Sequence, residues 1–576
     1  MRRFLALAAA ALALASPAVA AEQPQRTEGQ VERTFLRFHK VADWIDHYPA
    51  KGRTVDADYR EKTQDWEVHV WWSKAGEIAT GTVDDRTGHV SEAWTGPQVA
   101  WKMARGSEGA FGGKTLNSVP VWLGLCAAFL IGLADFRRPL SLRNLDLLAL
   151  LSFSISLRYF NGGDIFTSAP LAYPPLVYLL GRMLWIGFRG RSGVGGRPIW
   201  PVWLLAAATV FLVGFRIGLN VTQPEPNVID VGYSGVIGAH RIVEGQSPYG
   251  HFPVAEETLK GCGETNADGE VRDRVQTNGR CESANERGDT YGPVSYLAYV
   301  PGYLLLGWDG KWDGLPAAHF TSIAFDLLAL VLLGLVGLRF GGYRLGVTLA
   351  FAWAAYPFTQ YVLNSNTNDS IPPALLLVGF LFLGTAWGRG ASAALAGLTK
   401  FGSLLVIPLW SGYPRALERR SLLCFGAGLL AASLAAFSIF LLEPDVGHAA
   451  RLFWDRTLGW QLGRESPFSI WGWGQYHAAG IPDLALLQKA AIALVALFAL
   501  ALAFVPRRRT PLNVAALTAA LLIGFQLTLT HWFYLYIPWF FPFVALAVLA
   551  PLPSRTPPAP DLEERDRASR ELVAAG

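Results

Sequence analysis

From about residue 117 to residue 551 the chain repeats one pattern. Apolar runs of bilayer-crossing length alternate with short polar turns, as in helices that pass through a membrane in succession. Runs at about 117–136, 143–160, 169–188 and 199–219 predict four spans. A long polar interval follows, and then runs at about 316–337, 345–363, 371–387, 421–442, 483–505, 511–529 and 533–551 predict further spans, about eleven crossings in all. Two apolar stretches fit less simply. Tyr291–Leu306 carries Pro293 and Pro301 and is predicted to lie along the membrane or dip into it. Ala391–Trp410 contains Lys400 and is predicted to be a re-entrant hairpin of half-helices.

The N-terminal part obeys a different period. Residues 22–115 have the composition of a small soluble α+β domain. Glu28–Tyr48 places Val31, Phe35, Phe38, Val41, Trp44 and Ile45 on one helical stripe. Trp66–Trp72, Glu77–Val83 and His89–Trp94 have strand character, with Lys74-Ala-Gly and Asp84-Asp-Arg-Thr-Gly88 as turns. Residues 1–20 (Arg2-Arg3, an Ala/Leu run, then Ala18-Val19-Ala20) read as a secretory signal, with an uncleaved anchor as the alternative. Residues 552–576 form a Pro-rich, charged tail, predicted to be disordered and cytoplasmic. The predicted fold class is therefore mainly α: a polytopic transmembrane helical bundle with a small α+β domain at its N-terminus.

Composition supports this frame and charge orients it. Of 576 residues, 52% are hydrophobic and only 16% charged, which excludes an ordinary soluble protein. The Arg residues cluster in short loops such as Arg137-Arg138, Arg419-Arg420 and Arg507–Arg509, a distribution that sets membrane orientation. No basic face interleaves with aromatics, so nucleic acid is not an expected partner. Placing the basic loops inside sends the N-terminal domain and the loop 221–292 to the periplasmic or extracellular side of a bacterial inner membrane. Cys262 and Cys281 share that loop, so a disulfide between them is expected if the loop meets an oxidising compartment. His39, His47, His69 and His89 are too scattered to make a metal motif and are expected to be surface or packing residues.

The polar interval carries the candidate chemistry. It opens with Asp230-Val-Gly-Tyr233 just beyond a span, continues through Glu244 and Gly245-Gln-Ser-Pro-Tyr249, and closes on Asp289-Thr-Tyr291-Gly-Pro293. Asn364-Ser-Asn366-Thr-Asn368-Asp369 stands at a later span end, followed by Leu398-Thr-Lys400, Arg464, and His531 before a run of aromatics. In order and placement this series resembles the GT-C superfamily of membrane glycosyltransferases, near glycosyltransferase family 87, the polyprenol-phosphate mannosyltransferase-like proteins. The likeness runs from about Trp200 to Pro551, the expected catalytic module being 199–551. Three extra helices in 117–198, the insertion between Tyr249 and Tyr291, and Tyr-Gly-Pro where that family has Tyr-Pro-Pro are departures. The helix-and-meander pattern of 22–115 resembles PepSY-like domains, which implies binding or regulation.

The resemblance implies transfer of a hexose or pentose from a polyprenyl-phosphate donor to a hydroxyl on a glycan, glycolipid or protein acceptor, with inversion. Asp230 is then the general base, a role worth roughly 10²–10⁴-fold. Its bland alternative is a solvated loop acid or helix cap. Arg464, His531 and Lys400 are the expected donor-phosphate ligands. A snorkelling Arg, an aromatic-belt His and a Lys bracing backbone carbonyls are their structural alternatives. Tyr233, Glu244, Tyr249, Asp289, Tyr291, Asn364 and Asn366 are the expected substrate-binding residues. No metal motif stands out, although Asp289 could help hold a divalent ion, Mg or Mn. Two rival readings use the same residues. One is a transporter or flippase for a lipid-linked or polar substrate; the other is a non-enzymatic membrane sensor built on the N-terminal domain.

Overall fold

A computed structural model describes residues 24–46, 48–61, 63–72, 76–95, 99, 111–162, 165–190, 200–222, 228–252, 274–275, 281–282, 288–308, 315–459, 461, 466, 468–472 and 484–550. The expected signal (1–20) and the tail (552–576) lie outside them. The chain divides into two units. One comprises Met1–Lys102 with the pieces Asn161–Asp164 and Thr265–Glu270, and the other comprises the rest.

In the first unit, Thr27 and Gln30 form a capping box that starts α1 (Glu28–Leu36). The chain straightens at Phe38 before α2 (His39–Ile45), so the single helix expected over Glu28–Tyr48 is two. An antiparallel meander follows: β1 (Arg53–Arg60), β2 (Asp65–Trp72), β3 (Gly76–Asp84) and β4 (Val90–Thr95), paired in the order β1-β2-β3-β4. Strand β1 is an addition to the three expected strands. Its alternation is readable afterwards: Val55, Ala57 and Tyr59 face the core, while Asp56 and Asp58 point away. Both helices bury their apolar stripe on one sheet face, with Val31, Phe35, Val41 and Ile45 packed on Val68, Val70, Ile78 and Val83. Each such side chain contributes about 1.5–3 kcal/mol by leaving water.

The second unit is helical. Its main elements are α3 (Val119–Leu133), α4 (Leu142–Asn161), α5 (Tyr173–Arg189), α6 (Val202–Thr222), α7 (Asp230–Val243), α8 (Pro316–Ala355), α9 (Ile371–Leu381), α10 (Ala386–Gly397), α11 (Arg419–Phe437), α12 (Ala485–Ala501), α13 (Pro511–Leu527) and α14 (Ile537–Leu549). The protein is thus mainly helical with a small four-stranded sheet. Among the described residues, four helices are long and apolar enough to cross a membrane: Thr167–Arg189, Val202–Thr222, Pro316–Ala355 and Arg419–Leu442. This marks a membrane protein. The expected eleven crossings are more than helix length alone supports, because the remaining apolar helices, such as Val119–Leu133 and Pro511–Leu527, have 10–17 residues.

Breaks in the helices explain several of these short pieces. Helix α8 has 40 residues but reverses at Gly342, whose φ of 78° favours glycine. Gly337 on one leg lies against the backbone of Gly346 on the other, so the two expected runs 316–337 and 345–363 form a tight pair. The helix resumes after Ala355 as Pro357–Asn364.

Residues 386–411 also fold back on themselves. Helix α10 ends at Gly397, Lys400 lies at the tip, and a 3-10 turn (Phe401–Val406) leads into Ile407–Ser411. The buried guanidinium of Arg389, near the start, donates to the carbonyls of Trp410 (3.0 Å), Tyr413 (2.9 Å) and Leu383, which ties the two ends together. The chain thus turns back at Lys400 within the expected run Ala391–Trp410, with its first helix beginning earlier, at Ala386. The apolar stretch from Tyr291 forms two short helices, Pro293–Leu297 and Val300–Leu306.

Two ion pairs are buried between helices of the helical unit, whereas the buried guanidiniums of Arg389 and Arg509 are met by backbone carbonyls. Arg182 grips Asp146 with two bonds of 2.8 Å, and Arg216 bonds Asp326, which also accepts from the Trp353 indole at 2.9 Å. An unpaired charge in such surroundings would cost several kcal/mol, so each pair fixes the helices that carry it.

Candidate functional site

Helix α7 begins at Asp230, where a carboxylate favours the positive end of the helix dipole. The side chain is half-buried, and its Oδ1 accepts from the Val231 amide at 2.9 Å. The turn carrying it rests on the Asn-rich segment 364–369. Ile229 N–H donates to the Ser365 carbonyl at 3.4 Å, and a Cβ on Gly232 would stand 2.3 Å from the Asn366 carbonyl. Only glycine permits that approach, so the Gly of Asp230-Val-Gly-Tyr233 docks the two segments.

Segment 364–369 is a buried polar hub. Asn364 donates to the Gln360 carbonyl at 3.1 Å. Asn366, at φ 50°, accepts from Asn220 at 2.9 Å, and Asn220 in turn bonds His319 at 2.8 Å. Asn368 donates to Ser295. Asp369 accepts from the Trp539 indole at 3.1 Å and pairs with Lys400 Nζ at 3.4 Å. The ammonium of Lys400 also lies 4.4 Å from the Tyr291 ring centre, with Tyr536 and Trp539 at 5.8 and 5.9 Å. A cation so placed is met by one carboxylate and the faces of aromatic rings.

Two sequence motifs meet at this point. Val294 N–H donates to the Leu398 carbonyl at 3.2 Å, and a Cβ on Gly292 would stand 1.9 Å from that carbonyl oxygen. The Tyr291-Gly-Pro293 turn therefore receives the Leu398-Thr-Lys400 tip, and its central glycine leaves room for the tip's backbone. His531 is the next neighbour. Its Nδ1 shares a 2.9 Å hydrogen bond with Ser466, and its ring lies 5.2 Å from Phe468 and 6.5 Å from Tyr536. Tyr536 is thus common to the surroundings of His531 and Lys400.

Other expected site residues fall elsewhere. Glu244 is exposed at the far end of α7, roughly 20 Å along the helix from Asp230. Tyr233 is buried with its ring against Trp308. Tyr249 is buried among Tyr296, Phe440 and Phe453 and donates its hydroxyl to the Tyr291 carbonyl at 2.8 Å, which makes it a support for Tyr291. Asp289 is buried; its Oδ2 accepts from Gly250 N–H at 2.9 Å and faces Arg456 at 3.6 Å. Asp289 thus already faces an amide and an arginine, so a metal there would have to compete with Arg456 for the same oxygen. Arg464 lies outside the described residues, as does Cys262; Cys281 is described only in its backbone, so their expected disulfide also lies outside.

Sequence reading did not single out Trp539, Tyr536, Asn220 or Ser295. The signal for the first two was available: a lysine inside an apolar run requires a counter-charge and a polarisable shell, and the aromatic run after His531 offers one. Among the described residues, Asp56, Asp58 and His69 have ligand atoms within 4.8 Å of one another, but they sit on the exposed sheet face of the other unit.

Fold and site together define a mainly helical membrane protein with a buried, charge-balanced hub beside a helix-terminal carboxylate. No family model, curated protein or solved structure matches the chain.

Proposed function

We propose that this protein is an integral membrane glycosyltransferase that moves a hexose or pentose from a polyprenyl-phosphate donor to an acceptor hydroxyl, with inversion. The observation that carries the reading is the convergence at the hairpin tip. Lys400, steadied by Asp369 and Tyr291, belongs to the same hub on which the Asp230 turn rests. In the proposed reaction the acceptor oxygen bonds the anomeric carbon as the carbon–oxygen bond to phosphate breaks. The hydroxyl proton passes to Asp230, and the electron pair leaves with the phosphate. Lys400, His531 and Arg464 meet the charge that grows there.

The basic short loops orient the proposed site toward the periplasmic or extracellular face, with about eleven crossings counted when short and broken helices are included. The PepSY-like N-terminal domain is proposed to bind or regulate. The transporter alternative draws on one feature, the hairpin 386–411 with a lysine at its unwound tip.

The test is turnover of a radiolabelled polyprenyl-phosphate sugar in membranes carrying wild type or Asp230→Asn. Transfer is expected to fall by about 10²–10⁴-fold at normal protein abundance. Equal turnover in the variant would remove Asp230 from the base role. Equal label movement across sealed vesicles without any glycosidic product would replace the enzyme by the transporter.

A further inference from the structure

The N-terminal unit contains a cleft of about 550 Å³ that the proposed chemistry does not use. One wall is the polar face of α1, where Gln30, Arg33, Thr34 and Arg37 recur at helical spacing opposite the buried Val31 and Phe35. The other wall is Arg26 with the β3–β4 turn at Gly88 and His89. A solvated helix face ordinarily mixes charges of both signs, but the charged groups lining this cleft are arginines and a histidine.

The cleft is built and not merely left over. Asp85 is buried and accepts from the amides of Gln25 (2.7 Å) and Arg26 (3.0 Å) and from the Trp66 indole (2.8 Å). Those bonds strap the segment before α1 to the β3–β4 turn and bring Arg26 into one cleft with Arg33 and Arg37. The guanidinium of Arg26 lies against Gly88, where a Cβ would stand 2.7 Å from its Cζ. Its Nε is buried with no hydrogen-bond partner, and its Nη2 makes only a long 3.4 Å bond to the Arg86 carbonyl. Of the acids at the turn, Asp84 accepts from Thr87 at 2.6 Å and Asp85 holds the strap; on α1, Glu32 offsets part of the Arg33 charge, but neither Glu28 nor Glu32 lines the cleft. Among the described residues, none of Arg26, Arg33 and Arg37 forms an ion pair. Three like charges around one cleft repel one another, and an anion would relieve that repulsion while receiving planar, forked donors.

We infer that this cleft is a binding site for a phosphate-bearing anion, with Arg33 and Arg37 gripping one side and Arg26 the other. Guanidinium pairs suit the paired oxygens of a phosphoryl group, and the cleft has the size of a small-ligand site. The same chemistry could be presented by a soluble phosphate compound or by an anionic phospholipid headgroup, and the experiment separates the two.

Full-length protein in neutral phosphatidylcholine nanodiscs would be dialysed against radiolabelled pyrophosphate. Inorganic phosphate and monomeric dihexanoyl phosphatidylglycerol would serve as competitors. Saturable binding is expected, weakened on the order of tenfold or more by Arg33→Gln/Arg37→Gln and unchanged by Arg420→Gln on the helical unit. Displacement at lower concentration by the short-chain lipid assigns the headgroup; displacement at lower concentration by inorganic phosphate assigns the soluble ligand. Near-UV circular dichroism checks that the sheet unit persists, and the single Arg37→Gln, with a smaller loss, covers the case in which the double variant does not fold. Absence of saturable binding, or equal affinity in wild type and both arginine variants, would overturn the site.

Discussion

Two buried aspartates, one in each unit, are held in different ways. Asp85 in the sheet unit takes its hydrogen bonds from neutral donors, two backbone amides and an indole, with a smaller favourable contribution from the Arg26 charge. Asp369 in the helical unit is held by an indole as well, but its charge is met by a half-buried lysine among aromatic rings. The difference follows from the surroundings. Asp85 lies under a turn at the rim of a small domain, where water close by still screens its charge. Asp369 sits among apolar helices, where an ion without a counter-ion costs several kcal/mol. One carboxylate is therefore a strap and the other half of a charge pair, and substitutions should tell them apart.

The largest effect is expected at the pair. Lys400→Met leaves Asp369 buried and uncompensated and should destabilise the helical unit by about 3–5 kcal/mol. Adding Asp369→Asn should recover most of that loss, a coupling that a double-mutant cycle on thermal unfolding in detergent would measure. Simple additivity would mean the two do not act as a pair. Next comes Asp85→Ala, which removes the strap and should cost about 2–3 kcal/mol. The loss should be confined to the sheet unit and be visible as faster hydrogen exchange over residues 24–36 with no change over 386–411.

Gly292→Ala should follow, at about 1–3 kcal/mol, because the new Cβ meets the Leu398 carbonyl and the tip must shift. If Lys400 serves the proposed transfer, this variant should lose more activity than stability; an unchanged ratio would separate the tip from the chemistry. The smallest effect is that of pH on the strap. Burial opposes the charge of Asp85, but the donors from Gln25, Trp66 and Arg26 outweigh it and hold its pKa below the ordinary aspartate value. A depressed pKa gives stability that is present above the unfolded-state pKa and is lost as pH falls through the folded one. Protection over residues 24–36, taken relative to the intrinsic exchange rate at each pH, should therefore fall on acidification in wild type, and Asp85→Asn should lose that part of the response.

Much of the architecture was legible in the chain. Apolar runs located the helices because burial in lipid or protein demands contiguous apolar surface, and the shift to a period of two located three of the four strands. Strand β1 was missed because Arg53, Asp56, Asp58 and Arg60 mask the alternation of Val55, Ala57 and Tyr59. Lys400 could be flagged at the tip of a hairpin because a lone cation in an apolar run is costly. Its partner could not be chosen among several acids, since Asp369 lies 31 positions earlier in the chain.

Sequence alone determined that this is a chain of apolar helices with a small sheet domain ahead of them, because periodicity and hydropathy are local properties that neighbouring residues express together. It also determined where glycine had to stand, at Gly232, Gly292 and Gly342, though not why. Only the tertiary structure decided which of the polar residues meet. It seats the Asp230 turn on the Asn366 backbone, the Lys400 tip in the Tyr291-Gly-Pro293 turn, and Arg26 in one cleft with Arg37. Such pairings depend on close packing between distant segments, and a one-dimensional pattern does not encode which of many compatible partners the folded chain brings within hydrogen-bond reach.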